Sequence, residues 1–340
     1  MHYLITGHTG FKGAWLAIML KMYGHEVSGI SLNPAEKSLF RDADLSGMFA
    51  NDIREDIRDL PRLKKAFFDI NPDILIHLAA QPLVRESYRN PIYTFETNVM
   101  GTLNVLESAS TLQNLKSGLI VTTDKVYMNH ENKRHFVETD ALGGRDPYSA
   151  SKAAADIATQ SWIESFAGVP ISIARAGNVI GGGDWGQDRI VPELVTAFSE
   201  GKKPILRYPN AIRPWQHVLD CLNGYLLLIE KQMDSNIRGA FNFGPSLNDQ
   251  FSVAELVDNF GSFWGVGSPA WTTDGTDHPH ESGHLLLDST KARDVLGWSD
   301  KLSFLESVKW TADWYQKSKE LNPLEIVQQQ IKEFISMSQK

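Results

Sequence analysis

The chain has 340 residues, enough for a large buried core, and this length favours two domains or one large domain with an appended lobe. A net charge of -8 without a cluster of Lys or Arg argues against nucleic-acid binding. The single cysteine, Cys221, excludes a disulfide within the chain. No apolar run reaches membrane-spanning length and the N-terminus lacks a signal-peptide pattern, so we expect a cytoplasmic protein without a membrane partner.

The first thirty or so residues have the pattern of a strand, a glycine-rich turn, a helix and a second strand. Residues 2–6 are an apolar run, residues 7–13 carry Gly-x-x-Gly-x-x-Gly, residues 14–22 have helical periodicity, and residues 26–32 are strand-like. In this context the glycines allow a tight turn and close backbone approach to a pyrophosphate, beside the positive end of a helix dipole. The pattern therefore predicts a dinucleotide site.

Strands and helices continue to alternate along the next 150 or so residues, as expected of α/β units. Further strands are predicted at 51–56, 73–80, 118–123 and 171–176, and helices at 59–68, 91–112 and 148–166. Near-continuous apolar strands between helices predict a Rossmann-type, doubly wound parallel sheet covered on both faces. Ligands of such sheets bind beyond the carboxyl ends of the strands.

The amino-acid composition of the chain changes after residue 178. The run Gly-Gly-Gly-Asp-Trp at 181–185 predicts a flexible loop, and residues 207–217 are rich in Arg, Pro and aromatic residues. Guanidinium groups suit phosphates and aromatic faces suit a base or sugar, so we predict a substrate lobe here; the alternative is a surface loop. Later helices are predicted at 218–230, 289–296, 303–317 and 324–337.

These patterns predict two interleaved domains. The dinucleotide-binding domain comprises residues 1–178 with roughly 217–243, and the smaller substrate-binding domain comprises residues 179–216 and 244–340.

A tyrosine and a lysine stand four residues apart in the helix predicted at 148–166. This spacing places Tyr148 and Lys152 on one helix face, one turn apart. An ammonium group beside a phenol favours the phenolate, so we expect a lowered Tyr148 pKa and a general base. Thr123 can donate a hydrogen bond to the same substrate oxygen, and Asp124 with Lys125 forms a second acid–base pair. Tyr-x-x-x-Lys pairs also occur by chance in long chains, so the catalytic interpretation of this pair depends on the sequence pattern around it.

These motifs together resemble the extended short-chain dehydrogenase/reductase family, and within it the nucleotide-sugar 4,6-dehydratases. The resemblance covers most of the chain and is carried by residues 7–13, 77–85, 123–125, 143–152, 175–185, 213–218 and 287–298. Lys125 is typical of the branch that acts on CDP-glucose, because relatives acting on dTDP-glucose and GDP-mannose have Glu there. The chain departs from that branch at Val126, at Met128, which replaces a carboxylate, and at Ser282, which replaces an alanine.

The resemblance implies an internal redox dehydration that serves deoxysugar biosynthesis, including that of O-antigen and lipopolysaccharide. Tyr148, supported by Lys152 and Thr123, removes the proton of the sugar 4-hydroxyl as hydride leaves C4. Asp124 then acts as the acid at the C6 hydroxyl, provided that burial or a negative neighbour keeps it protonated. Lys125 is either the base at C5 or a charged stabiliser of the enolate, and the sequence leaves both open.

The resemblance also implies a cofactor, site residues and partners. The expected cofactor is NAD, with NADP left open because the second strand ends at Ser31-Leu32-Asn33 without a carboxylate or an arginine. The predicted cofactor-binding residues are Gly7, Thr9, Gly10, Phe11, Lys12, Gly13, Ser31, Asp56, Ile57, Leu78, Ala79, Ala80, Gln81, Asn98, Tyr148 and Lys152. The predicted substrate-binding residues are Gln81, Arg85, Asn178, Arg189, Arg207, Arg213, His217 and His280.

We expect a nucleotide-sugar substrate, no metal, and a homodimer or homotetramer joined through the helices at 91–112 and 148–166, as in relatives. The alternatives are a 4,6-dehydratase of another nucleotide-hexose, a nucleotide-sugar 4-epimerase that needs no Asp124-Lys125 pair, and a non-catalytic binding protein.

Overall fold

The computed structural model describes residues 1–131, 134–166, 168–247, 249–273, 275 and 283–337. The strands are β1 (His2–Thr6), β2 (Glu26–Ser31), β3 (Asp52–Arg54), β4 (Ile74–His77), β5 (Ser117–Val121), β6 (Ile171–Ala176), β7 (Val179–Ile180), β8 (Ile212–Arg213), β9 (Gln216–His217), β10 (Gly239–Phe243) and β11 (Phe251–Ser252). Seven of them form one parallel sheet in the order β10-β6-β5-β4-β1-β2-β3. This order confirms the predicted doubly wound fold, with the switch point between β1 and β4.

Helices cover both faces of the sheet. They are α1 (Phe11–Met22), α2 (Leu39–Asp42), α3 (Leu60–Ile70), α4 (Val84–Arg89), α5 (Pro91–Phe95), α6 (Gly101–Ser110), α7 (Pro147–Ser165), α8 (Ile190–Ser199), α9 (Val218–Ser235), α10 (Val253–Trp264), α11 (Thr290–Leu296), α12 (Phe304–Lys317) and α13 (Pro323–Ser336). The sequence patterns did not predict α4, α8 or α10. The start of α10 had a readable signal, because Ser252 and Glu255 form a capping box.

The helix predicted at 91–112 is interrupted. A π-helical turn, Glu96–Met100, separates α5 from α6. A π turn inserts one extra residue per turn and often lies at a functional site. Here it buries Thr97 and Asn98 beside the loop that follows β4.

The run of three glycines at 181–183 is buried, so the prediction of a flexible loop was wrong. The Trp15 indole donates a 2.9 Å hydrogen bond to the Gly182 carbonyl, and a Cβ on Gly182 would overlap the ring of Trp314. The Tyr315 hydroxyl donates a 2.5 Å hydrogen bond to the Asp184 carbonyl. These glycines therefore allow close aromatic packing, a role that composition alone does not distinguish from flexibility.

One hydrophobic core joins the sheet to the C-terminal helices. It includes Trp15 of α1, Leu222 of α9, Trp314 of α12 and Phe334 of α13, all almost fully buried. The predicted substrate lobe is therefore packed on the sheet rather than tethered to it, and the proposed domain boundaries stay a prediction. Among the described residues, no helix is long and apolar enough to cross a membrane.

Candidate active site

A cleft of about 1280 Å³ runs along the carboxyl ends of the strands, between the sheet and the segments that follow β6. A pocket for one small ligand measures roughly 300–1000 Å³, so this cleft is large enough for two ligands side by side. It contains Thr123, Asp124, Lys125, Tyr148 and Lys152, which brings together all five predicted catalytic residues.

The glycine-rich turn forms a backbone cradle at the switch point. Gly7 has φ of +79°, and a Cβ there would lie 2.7 Å from the Ala79 nitrogen. A Cβ on Gly13 would overlap the Gly7 carbonyl. The turn therefore requires glycine at both positions, and it leads directly into the N-terminus of α1, where free N–H groups face the cleft. This cradle fits the pyrophosphate of a dinucleotide.

The ends of β2 and β3 form the wall of the cleft beyond the cradle. Thr9 and Ser31 share a 2.7 Å hydrogen bond, and Asp56 and Ile57 line the cleft beside them. The buried Thr97 hydroxyl also lines the cleft and has no hydrogen-bond partner within the described chain. An unpaired buried hydroxyl at a cleft wall is suited to a polar ligand group. The predicted residues Phe11, Lys12, Leu78, Ala79 and Ala80 line the same half of the cleft.

Gln81 and Asn98 are not on the cleft wall, contrary to their prediction as ligand-binding residues. The Asn98 amide accepts a 2.8 Å hydrogen bond from the Gln81 N–H and donates one of 2.9 Å to the Ser151 hydroxyl. The Gln81 side chain donates to Thr94 at 2.8 Å and accepts from the Leu83 N–H at 2.6 Å. Both side chains therefore make their hydrogen bonds within the protein, and these bonds hold the loop after β4 against α7.

The start of α7 is fixed by its capping residue, and this sets the position of Tyr148. The Asp146 carboxylate accepts a 2.9 Å hydrogen bond from the Ser149 N–H. The Ser87 hydroxyl accepts one of 3.0 Å from the Tyr148 N–H. The first turn of the helix is thus attached to α4 as well as capped.

The structure contradicts the lowered pKa that was predicted for Tyr148. Burial raises the pKa of Tyr148 to about 12, with the neighbouring Thr123 hydroxyl opposing that shift and the charge of Asp124 adding to it. Burial lowers the pKa of Lys152 to about 8, and the charge of Asp156 opposes that shift. The Lys152 ammonium donates a 2.8 Å hydrogen bond to the Val121 carbonyl. Desolvation of both groups therefore outweighs the expected effect of the ammonium on the phenol.

The residues after β5 form a short 3-10 turn, Asp124–Val126, capped by Thr123. The Thr123 hydroxyl donates a 2.9 Å hydrogen bond to Oδ1 of Asp124, which is almost fully buried. Oδ2 of Asp124 has no hydrogen-bond partner among the described residues. Lys125 is half-buried on the cleft wall, and the described part of the chain provides no acidic partner for its ammonium group. A carboxyl and an ammonium group thus face the same space as Tyr148.

A buried ion pair that the sequence patterns did not reveal supports this centre. Two nitrogens of the Arg175 guanidinium group, Nε and Nη2, donate hydrogen bonds to the Asp156 carboxylate at 2.8 and 2.7 Å. Both side chains have zero exposure. The Thr122 hydroxyl donates to the same carboxylate at 2.9 Å. Asp156 lies one helical turn after Lys152, so the helical spacing that linked Tyr148 to Lys152 extends to it.

Several predicted substrate-binding residues line the other half of the cleft. Arg85 forms a 2.7 Å ion pair with Asp188, and Arg189 forms one of 2.8 Å with Asp184. Arg213 is buried and donates a 2.9 Å hydrogen bond to its neighbour's carbonyl. Arg207 and Asn178 also lie on this wall. The structure therefore gathers these residues in the same cleft as the acid–base centre.

His217 is a structural residue, which corrects its predicted role in substrate binding. It is fully buried outside the cleft, with ring centroids 6.0 Å from Trp15 and 5.8 Å from Trp310. Its Nδ1 accepts a 3.3 Å hydrogen bond from the Leu219 N–H and caps α9. Burial lowers the pKa of His217 to about 3, so the ring is neutral. The prediction was based on the aromatic residues near His217 in the sequence. Composition does not show whether such residues lie in the core or line a cleft.

Met128, His280 and Ser282 are the remaining residues that the sequence analysis singled out. Met128 is exposed, packs against Gly143 and is not on the cleft wall, so its difference from relatives lies outside the centre. His280 and Ser282 lie outside the described residues. Among the residues described, no three His, Cys, Asp or Glu side chains are grouped so that they can hold a metal ion.

The fold and the cleft define a Rossmann-type enzyme with an acid–base centre beside its nucleotide cradle. The chain belongs to the family described as GDP-mannose 4,6 dehydratase, whose model matches residues 4–311. It is 40% identical over 325 residues to a CDP-glucose 4,6-dehydratase from Salmonella typhimurium, covering 91% of this chain and 90% of that protein.

Solved structures resemble the whole chain. A dTDP-glucose 4,6-dehydratase from Bacillus anthracis, in complex with NAD, has a TM-score of 0.80 at 23% identity and covers 95% of this chain and 99% of its own. A UDP-glucose 4-epimerase from Thermotoga maritima, with UDP-glucose, has a TM-score of 0.81 at 23% identity and covers 94% and 100%. At these identities the likeness supports the fold alone.

Proposed function

We propose that this chain is an NAD-dependent lyase that dehydrates CDP-glucose to CDP-4-keto-6-deoxyglucose. The observation that carries the proposal is the meeting of two acid–base pairs, Tyr148 with Lys152 and Asp124 with Lys125, in one cleft beside the glycine cradle. The 40% identity to a CDP-glucose 4,6-dehydratase over most of both chains supports the choice of substrate.

The cradle at residues 7–13 and the walls at Ser31, Asp56 and Ile57 would hold NAD. When bound, NAD supplies a hydride acceptor at sugar C4 and a hydride donor at C6, so it is regenerated in each turnover. The Bacillus anthracis protein, which has the same fold, is in complex with NAD, and the proposal extends that cofactor to this chain.

Tyr148 is the base for the sugar 4-hydroxyl in this proposal. Its phenol lies beside Thr123 and at the cleft wall, where it meets a sugar hydroxyl directly. Because burial raises the pKa of Tyr148 to about 12, the phenolate needs positive charge nearby in the working complex. Lys152, one helical turn away and anchored on the Val121 carbonyl, provides part of that charge.

Asp124 and Lys125 carry out the elimination. Oδ1 of Asp124 already accepts a hydrogen bond from Thr123, so Oδ2 is the oxygen left to pass a proton to the C6 hydroxyl. Lys125 reaches the same space from the cleft wall. Once C4 is a ketone, the C5 proton is acidic, and Lys125 either removes it or stabilises the enolate as an ammonium.

A homodimer or homotetramer is part of the proposal. Helix α5, the π turn after it and α7 pack together and each expose a large apolar side chain, as surfaces that pair with another protein do. Ile92 is 71% exposed, Met100 52% and Ile157 53%. Light scattering should give at least a dimer, and Ile157→Glu should shift it toward the monomer. A cytoplasmic location stays a prediction from the sequence.

The proposed function is tested by incubating the enzyme and NAD with CDP-, dTDP-, UDP- and GDP-hexoses and analysing the products by mass spectrometry and by NMR, which also detects a change at C4. We expect CDP-glucose to lose one water and the other substrates to react much more slowly. Equal or faster dehydration of another nucleotide-hexose would reassign the substrate. Conversion at C4 without loss of water would instead identify a 4-epimerase, the activity of the Thermotoga maritima neighbour.

A further inference from the structure

The ribose end of the cleft lacks the carboxylate that NAD sites commonly have after the second strand. Strand β2 ends at Ser31, and Leu32 and Asn33 follow. Strand β3 runs parallel to β2, with Ser31 opposite Arg54, and the next residue, Glu55, donates its N–H to the Ser31 carbonyl at 3.2 Å. Glu55 is therefore adjacent to the end of β2, although in the chain it follows the neighbouring strand β3.

Glu55 lines the cleft. Between residues 31 and 57, the cleft wall consists of Ser31, Leu32, Glu55, Asp56 and Ile57, and none of these is basic. This part of the wall thus carries two carboxylates and no Lys or Arg side chain.

Three arginines lie close to Glu55 in the sequence, and none of them lines the cleft. Arg54 binds Asp52 at 2.8 Å and His8 at 3.0 Å beneath the sheet edge. Arg58 binds Asp56 at 2.7 Å. Arg62 approaches Glu55 at 3.5 Å from outside the cleft wall, where it is 69% exposed. None of these three arginines lines the cleft, and each contacts a carboxylate of the same segment.

We propose that Glu55 is the ribose-binding carboxylate of this chain and that it selects NAD over NADP. The inference rests on the proposed function, in which the cleft holds a dinucleotide. A carboxylate accepts hydrogen bonds from a ribose 2′-hydroxyl, whereas a 2′-phosphate with about two negative charges is repelled. The acidic residue thus comes from the end of β3 instead of β2.

The test measures binding of NAD and NADP separately by calorimetry, without nucleotide sugar. Wild-type protein should bind NAD at least about tenfold more tightly than NADP, and Glu55→Gln should reduce that ratio by about tenfold. Glu55→Arg should make NADP the tighter ligand. Glu26→Gln removes a carboxylate that is exposed at the opposite end of β2, and it should leave the ratio unchanged.

The exposed Glu55–Arg62 contact contributes little to stability, so the Glu55 variants should fold, as thermal unfolding can verify. Equal binding of both dinucleotides by wild-type protein would overturn the inference. An unchanged ratio in Glu55→Gln would also overturn it, while NAD-dependent dehydration by the same variant would leave the proposed function standing. Folded wild-type protein that binds neither dinucleotide would overturn both.

Discussion

The Thr123 hydroxyl donates a 2.9 Å hydrogen bond to one carboxyl oxygen of Asp124 and leaves the other, Oδ2, unpaired within the described chain. A Cβ added to Gly177 would overlap the Pro214 ring and lie 3.2 Å from Oδ2, so a glycine at this position lets both residues pack closely against the backbone. Thr123 also contacts the Tyr148 phenol. One threonine thus orients both the proposed acid and the proposed base toward a common substrate.

Replacing Asp124 tests its role as the acid. Asp124→Asn keeps the shape but has no proton to give, so we expect dehydration to slow by about a hundredfold to ten-thousandfold. Oxidation at C4 should persist, because Tyr148 and Lys152 remain. Single-turnover absorbance of reduced nicotinamide should therefore rise and then decay slowly. A variant that dehydrates at the wild-type rate would remove Asp124 from the mechanism.

Replacing Lys125 separates elimination from oxidation. Lys125→Ala should abolish loss of water while partial oxidation at C4 remains, again seen as nicotinamide absorbance in a single turnover. Tyr148→Phe, in contrast, should give no such absorbance, because the first proton is not removed. Lys203→Ala is the matched control, since Lys203 is exposed and off the cleft wall. An absence of any absorbance change in Lys125→Ala would contradict this division of roles.

The rate should depend on the charge of Lys152. Burial lowers the pKa of Lys152 from 10.5 to about 8, so its ammonium form predominates below pH 8 and is progressively lost above it. The Tyr148 phenol, whose pKa is raised to about 12, gains phenolate over the same range, so we expect kcat to rise with pH up to about 8 and then to level off. An arginine stays protonated over this range, so Lys152→Arg should be slower but its kcat should keep rising above pH 8. A wild-type kcat that continues to rise steeply to pH 10 would be inconsistent with this role.

The buried pair of Asp156 and Arg175 should contribute strongly to stability. Removing one partner leaves a buried charge without compensation, and Asp156→Asn should lower the free energy of unfolding by about 3–5 kcal/mol. Glu164→Gln changes an exposed carboxylate on the same helix and should have little effect. Urea denaturation measures both. Because the charge of Asp156 raises the pKa of Lys152, the pH at which kcat levels off should be lower in any folded Asp156→Asn enzyme.

Local sequence patterns predicted the parts of the site that depend on local spacing. The glycine cradle at 7–13 and the Tyr148–Lys152 pair follow from chain geometry over a few residues, and the alternation of strands and helices predicted the sheet. His217 and Gln81 were assigned to the ligand, but their side chains are used in the protein, because burial depends on distant elements. Arg175 was visible only as part of a motif, since its partner Asp156 is on another element.

The most direct test of the central claim is the fate of the hydrogen at sugar C4. CDP-glucose carrying deuterium at C4 should give a product that has lost one water and carries the deuterium at C6, because the hydride returns within the same turnover. Mass spectrometry and NMR of the product locate the label. Deuterium retained at C4, or a product in which it is lost to solvent, would contradict the proposed internal dehydration.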